Sequence, residues 1–92
     1  MENVITREIL LSRGFVQSEY AKRFFSKEYK DVEVLLEDYM DSSGHWDLRM
    51  TLPYTIEIIG REVEVPVTYY FPSIKIVREL DALEMLLTDK YK

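Results

Sequence analysis

The chain's single histidine stands in the segment Asp41-Ser42-Ser43-Gly44-His45-Trp46-Asp47. Serine, histidine and aspartate are the parts of a nucleophilic hydrolase: a hydroxyl attacks, an imidazole takes its proton, and a carboxylate orients the imidazole. Those parts come together from separate regions of a fold, and the serine commonly sits on a glycine-flanked turn. Here Ser43, His45 and Asp47 crowd into one short stretch with no such turn. The segment reads instead as a turn leading into a strand. Asp38, Asp41, Ser43 and Asp47 offer oxygens, but not at the spacing of a 12-residue calcium loop, and no glutamate closes the set. One histidine and no cysteine exclude a multi-histidine or thiolate metal site within one chain. Glycines 14, 44 and 60 are too far apart to cradle a phosphate. No catalytic residue, metal site or cofactor is predicted, and the chain reads as non-enzymatic.

Charge is the stronger signal. Residues 31–64 hold nine acidic and two basic side chains, a net of −7, within a 92-residue chain of net charge −5. Residues 1–30 carry six basic and four acidic groups, and residues 65–92 four of each. A chain without a basic stripe is a poor direct binder of nucleic acid, which depends on neutralising phosphates. Its expected partner is a protein with a basic surface. No apolar run approaches the roughly 20 residues of a membrane span, and the N-terminus lacks the pattern of a secretory signal. With no cysteine, a reducing, cytoplasmic location is the expectation.

The elements that must position these charges are strands. Val32, Val34 and Leu36 alternate with Glu33, Leu35 and Glu37 over 31–39. The turn formers 41–44 follow. Trp46, Leu48, Met50 and Leu52 then alternate with Asp47, Arg49 and Thr51. Pro53 predicts a bend or an edge. Beyond it, strands 54–59 and 62–71 turn Tyr54, Ile56 and Ile58, then Val63, Val65, Val67, Tyr69 and Phe71, to the core. Gly60-Arg61 suits a two-residue loop with glycine at its first central position. That loop sets Glu57 opposite Glu64, a like-charge pair that costs stability unless Arg49 or a cationic partner lies alongside. Pro66 marks an edge or a bulge. The expected docking face is therefore Glu33, Glu37, Asp47, Glu57, Glu62 and Glu64, extended by Tyr70, which falls on the polar side. Trp46, Tyr69, Tyr70 and Phe71 could line an aromatic pocket, but alternating aromatics are more often core.

Helices flank the strands. Val4, Ile5, Ile9 and Leu10 predict a helix over 4–13, with Gly14 past its end and Phe15 folding back on Leu10. Residues 18–29 are ambiguous. Ser18 can cap a helix with the face Tyr20, Ala21, Phe24 and Phe25, or Arg23–Ser26 can be a strand; the helix is slightly favoured. Val77, Leu80, Leu83 and Leu87, with Ala82, Met85 and Leu86 widening the stripe, predict a helix over 77–88 that covers the sheet.

Several landmarks run in sequence: Arg13-Gly14-Phe15, Trp46-Asp47-Leu48, Ile74-Lys75-Ile76-Val77 and the segment Arg78–Thr88. Together they resemble short uncharacterised accessory proteins of bacterial phages and mobile elements, which close on an xxVHxLQNLxxxLTG helix. Val77, Leu80, Leu83, Leu87 and Thr88 match that closing pattern, while Arg78, Asp81, Ala82 and Asp89 stand where the family has His, Gln, Asn and Gly. The resemblance implies an accessory protein of a mobile element and transfers no active site. Tyr69-Tyr70-Phe71-Pro72 also resembles the end of the ubiquitin-conjugating-like strand meander, without the catalytic cysteine and without the helical half that follows. The expectation is one small α+β domain over 1–92, a three- to four-stranded mainly antiparallel sheet with N- and C-terminal helices on one face. The expected function is non-catalytic binding of a basic, nucleic-acid-binding host protein. The alternative is a self-associating structural protein, a possible homodimer.

Overall fold

The computed structural model describes residues 3–39 and 43–90. It is an α+β arrangement with more strand than expected: α1 (Arg7–Ser12), β1 (Val16–Gln17), β2 (Phe24–Tyr29), β3 (Val32–Asp38), β4 (Trp46–Ile58), β5 (Arg61–Ile74) and α2 (Val77–Lys90). The five strands form one antiparallel meander in chain order. The sheet thus has one or two strands more than the expected three or four.

Helix α1 is shorter than the 4–13 stripe, because Val4 pairs as a bridge with Ile76 instead of joining it. Thr6 caps the start, its hydroxyl accepting from the Ile9 N–H at 3.2 Å. The end is a Schellman closure. Gly14 sits at φ 91°, its N–H donates to Leu11, and the Phe15 N–H donates to Leu10. Leu10 and Phe15 are both buried, as the fold-back requires.

The 18–29 segment resolves as turn and strand, not helix. Ser18 does act as a cap, accepting from the N–H groups of Tyr20 and Ala21, but it opens a turn. Phe25 and Tyr29, four residues apart on one face of β2, are buried, while Tyr20 is 97% exposed. A helix would have placed Tyr20 with Phe24 on one face. Pairing with β3 buries Phe25 and Tyr29 and supplies the backbone with partners, and this outweighs the local cap signal.

Helix α2 lays Leu80, Leu83 and Leu87 into one core with Leu10, Phe25, Val32, Val34, Leu36, Trp46, Leu48 and Met50. Trp46 meets Phe25 edge-on at 5.6 Å between centroids, and its Nε1–H donates to the Ile5 carbonyl. The Glu79 carboxylate accepts from the N–H groups of Lys75 and Ile76, reaching back over the helix start as in a capping box. Ala82, Met85 and Leu86 are exposed, so the buried stripe is narrower than expected.

The helices also cover less of the sheet than expected. A 14-residue helix reaches about 21 Å, whereas the 13-residue β4 runs about 44 Å. The last β3–β4 pair is Glu33↔Thr51, and beyond it β4 and β5 continue as a two-stranded arm. Of the bend or edge expected at Pro53, the edge is found: β4 runs on unbroken but loses β3 after Thr51, and Pro53 faces Pro66 where the sheet narrows. Ile56, Val63, Val65 and Val67 are only half-buried, and Tyr54 and Ile58 are exposed. These expected core residues lie on the core-side face of the sheet, but no layer among the described residues covers them.

The arm's register also departs from expectation. The loop is Ile59-Gly60, both with positive φ (49° and 72°), and Ile58 faces Arg61. Residues flanking a two-residue loop form a hydrogen-bonded pair, and bonded and non-bonded pairs then alternate. A Gly60-Arg61 loop would place Pro53 and Pro66 at bonded pairs, forfeiting two ladder bonds, about 2 kcal/mol, and orphaning their acceptors. In the observed register the prolines share one non-bonded pair and forfeit none. The cost is Ile59, a β-branched residue in the left-handed region, at about 1–2 kcal/mol. Two prolines outweigh one isoleucine.

Candidate protein-docking face

The face of the sheet opposite the helices gathers every expected docking residue. Cross-strand partners share a face. The pairs Glu37↔Asp47, Arg49↔Tyr70, Thr51↔Thr68, Thr55↔Glu64 and Glu57↔Glu62, with Glu33 beside Thr51, therefore place all seven on one surface.

That surface has two unlike halves. In the near half, Arg49 donates to Glu37 at 2.8 Å and to Asp47 at 3.0 Å, and Arg23 reaches Glu37 at 2.9 Å. The Arg49 guanidinium also lies 5.4 Å from the Tyr70 ring centre and 5.9 Å from that of Phe24. Glu37 and Asp47 are thus held and largely neutralised, and Tyr70, 73% exposed, is the outer plate of the stack. Arg49 at the hub, Phe24 beneath it and Arg23 on Glu37 were not among the expected site residues. The signal was present, since pairing the strands across the 41–44 turn sets Glu37 opposite Asp47 with Arg49 two residues on.

In the far half the carboxylates have no counter-ion among the described residues. Among the described residues Glu28, Asp31, Glu33, Glu57, Glu62 and Glu64 make no ion pair. Glu57 faces Glu62, not Glu64, as a consequence of the shifted loop, and Glu64 faces Thr55. A second like-charge pair, Glu28↔Glu33, lies across β2 and β3. Both pairs fall at non-bonded positions, where opposing side chains come closest. Each disfavours the isolated fold by up to about 1 kcal/mol. Arg49 relieves neither, being committed to Glu37 and Asp47. Asp31, Glu33 and Glu64 rim an open concavity of ≈ 280 Å³ whose walls include Thr51, Pro53 and Pro66.

The segment that suggested hydrolysis is not assembled as a relay. Ser43 Oγ accepts from the His45 backbone N–H, and Asp47 is engaged by Arg49. Asp41, part of the calcium comparison, lies outside the described residues. Among the described residues no group of three or more His, Asp or Glu converges to hold a metal ion. The aromatic set does not form a pocket: Trp46 is buried, Tyr69 and Phe71 are part-exposed on the helix side, and Tyr70 is on the other face. No helix among the described residues is long and apolar enough to cross a membrane. No protein-family model, curated protein or solved structure matches the chain.

Proposed function

We propose that the chain is a non-enzymatic protein-binding module whose acidic sheet face docks a protein with a basic surface. The observation that carries this reading is the pair of cross-strand glutamate couples, Glu28↔Glu33 and Glu57↔Glu62, without counter-ions among the described residues. Opposed carboxylates weaken an isolated sheet and strengthen one that meets cations, so partner binding converts a cost into attraction. Carboxylates two apart along a strand are spaced by about 7 Å, so Glu62 and Glu64 form a regular anionic row along the arm. Such a row suits a surface evolved for a phosphate backbone. Taken with the likeness of its landmarks to mobile-element proteins, the specific reading is an inhibitor that occupies a cytoplasmic nucleic-acid-binding host protein.

Capture from a bacterial lysate tests it, using the intact protein and a Glu57→Lys/Glu62→Lys variant. The expected result is a basic protein held at low salt by the intact chain, released by salt, and not held by the variant. Equal capture by both removes this face from the interface. A captured protein that still binds DNA while complexed defeats the charge-mimic version.

A further inference from the structure

The opposite face of the arm carries a second surface. Tyr69 and Phe71 lie across from the buried Met50 and Leu48, yet are 46% and 39% exposed. Further out, Tyr54 is 55%, Ile58 48% and the tip residue Ile59 96% exposed. With the half-buried Ile56, Val63 and Val65, this apolar strip amounts to roughly 700 Å², above the 300–600 Å² of the largest patch on a typical monomer. Two strands with an open apolar face are marginal on their own.

Three occupants compete for the strip. A foreign strand added to the edge of β5 would use its outward-facing backbone at Glu62, Glu64, Pro66, Thr68 and Tyr70. Pro66 supplies no N–H there, and the two carboxylates guard the outer half; on the edge of β4 beyond Thr51, Pro53 likewise supplies none and Glu57 guards the rest. A lipid surface would have to approach Glu57, Glu62 and Glu64 on the reverse of the same two strands. A second copy meets neither obstacle. Strip against strip keeps the two acidic faces on opposite outer sides. It buries roughly 1,400 Å² in total, within the 1,200–2,000 Å² of a standard specific interface.

We propose that the chain forms a two-fold dimer in which the apolar face of the β4–β5 arm stacks on the same face of a second copy, about 10 Å apart as in a β-sandwich. The contact is independent of the acidic docking face. The dimer presents two such faces.

Sedimentation velocity of the intact chain, between about 1 and 500 µM, tests it. The expected species has twice the 11.0 kDa chain mass. Ile56→Asp should weaken the dimer by about 100-fold or more by placing a carboxylate in the dry contact. Emission of the buried Trp46 reports that the fold is kept, and Tyr69→Ser replaces Ile56→Asp if that signature is lost. Thr68→Pro, which removes an outward N–H from β5, should leave the dimer intact, as should Glu57→Lys/Glu62→Lys. A wild-type chain that stays monomeric throughout, with or without binding to phosphatidylcholine vesicles, overturns the proposal. So does a dimer that survives the folded strip variant, or one that Thr68→Pro dissociates.

Discussion

Replacing Ile59 by asparagine should tighten the arm. Ile59 sits at φ 49° and is 96% exposed, so it bears a left-handed backbone with a β-branched side chain and buries nothing in the isolated chain. Asparagine tolerates that region, and Asn-Gly is the favoured pair for a two-residue loop in which both residues have positive φ. Relief of about 1–2 kcal/mol is expected. Beyond Glu33↔Thr51 the arm has no third strand among the described residues and should open locally, so most of the gain should appear at the tip and little in the global melting temperature. Amide hydrogen exchange at Ile58 and Arg61, the pair that closes the loop, reads it. Protection should rise about 5- to 30-fold, measured at dilution or in the Ile56→Asp background so that contact between copies does not contribute. Unchanged or reduced protection would refute the reasoning that the two prolines hold Ile59 in a strained position.

Two further outcomes follow from the charged groups. The N–H groups of Lys75 and then Ile76 hold the Glu79 carboxyl below its ordinary value. A depressed folded-state value means that this stabilisation is present above the ordinary glutamate range and is lost as pH falls through the lower folded value. Glu79→Gln should therefore lower stability at neutral pH and flatten its acid dependence, in urea titrations at successive pH values. Arg49→Met should cost about 1–2 kcal/mol, by leaving Asp47 without its cation and Glu37 with Arg23 alone, and by unstacking Tyr70 and Phe24, with a larger loss at low salt.

Much of this architecture is legible in the sequence, and the exceptions have specific causes. Period-2 alternation correctly separates Val32, Val34 and Leu36 from Glu33 and Glu37, and Trp46, Leu48 and Met50 from Asp47 and Arg49. It cannot say whether a shared face is covered. Ile56, Val63 and Val65 carry the same alternation as the buried residues, and only the comparison of helix length with strand length shows that α2 does not reach them. The loop was misplaced because glycine chemistry alone permits both registers. Testing Pro53 and Pro66 against each register would have selected Ile59-Gly60. The face assignments survived that error because the observed pairing stays in phase with the expected one. At 18–29 the Ser18 cap is real, but a cap cannot say that the next residues find a strand partner in β3. The residues expected to dock a partner do share one face of the sheet. Their division into a neutralised and an uncompensated half depends on where Arg49 and Arg23 reach, which no spacing rule encodes.

The docking claim is tested most directly by mapping amide chemical shifts on the intact chain as the captured basic protein is added. Shifts should concentrate at Glu28, Glu33, Glu57, Glu62 and Glu64, weaken with salt, and leave Leu80–Leu87 of α2 unmoved. Shifts confined to α2 or to the apolar strip, insensitive to salt, would contradict it.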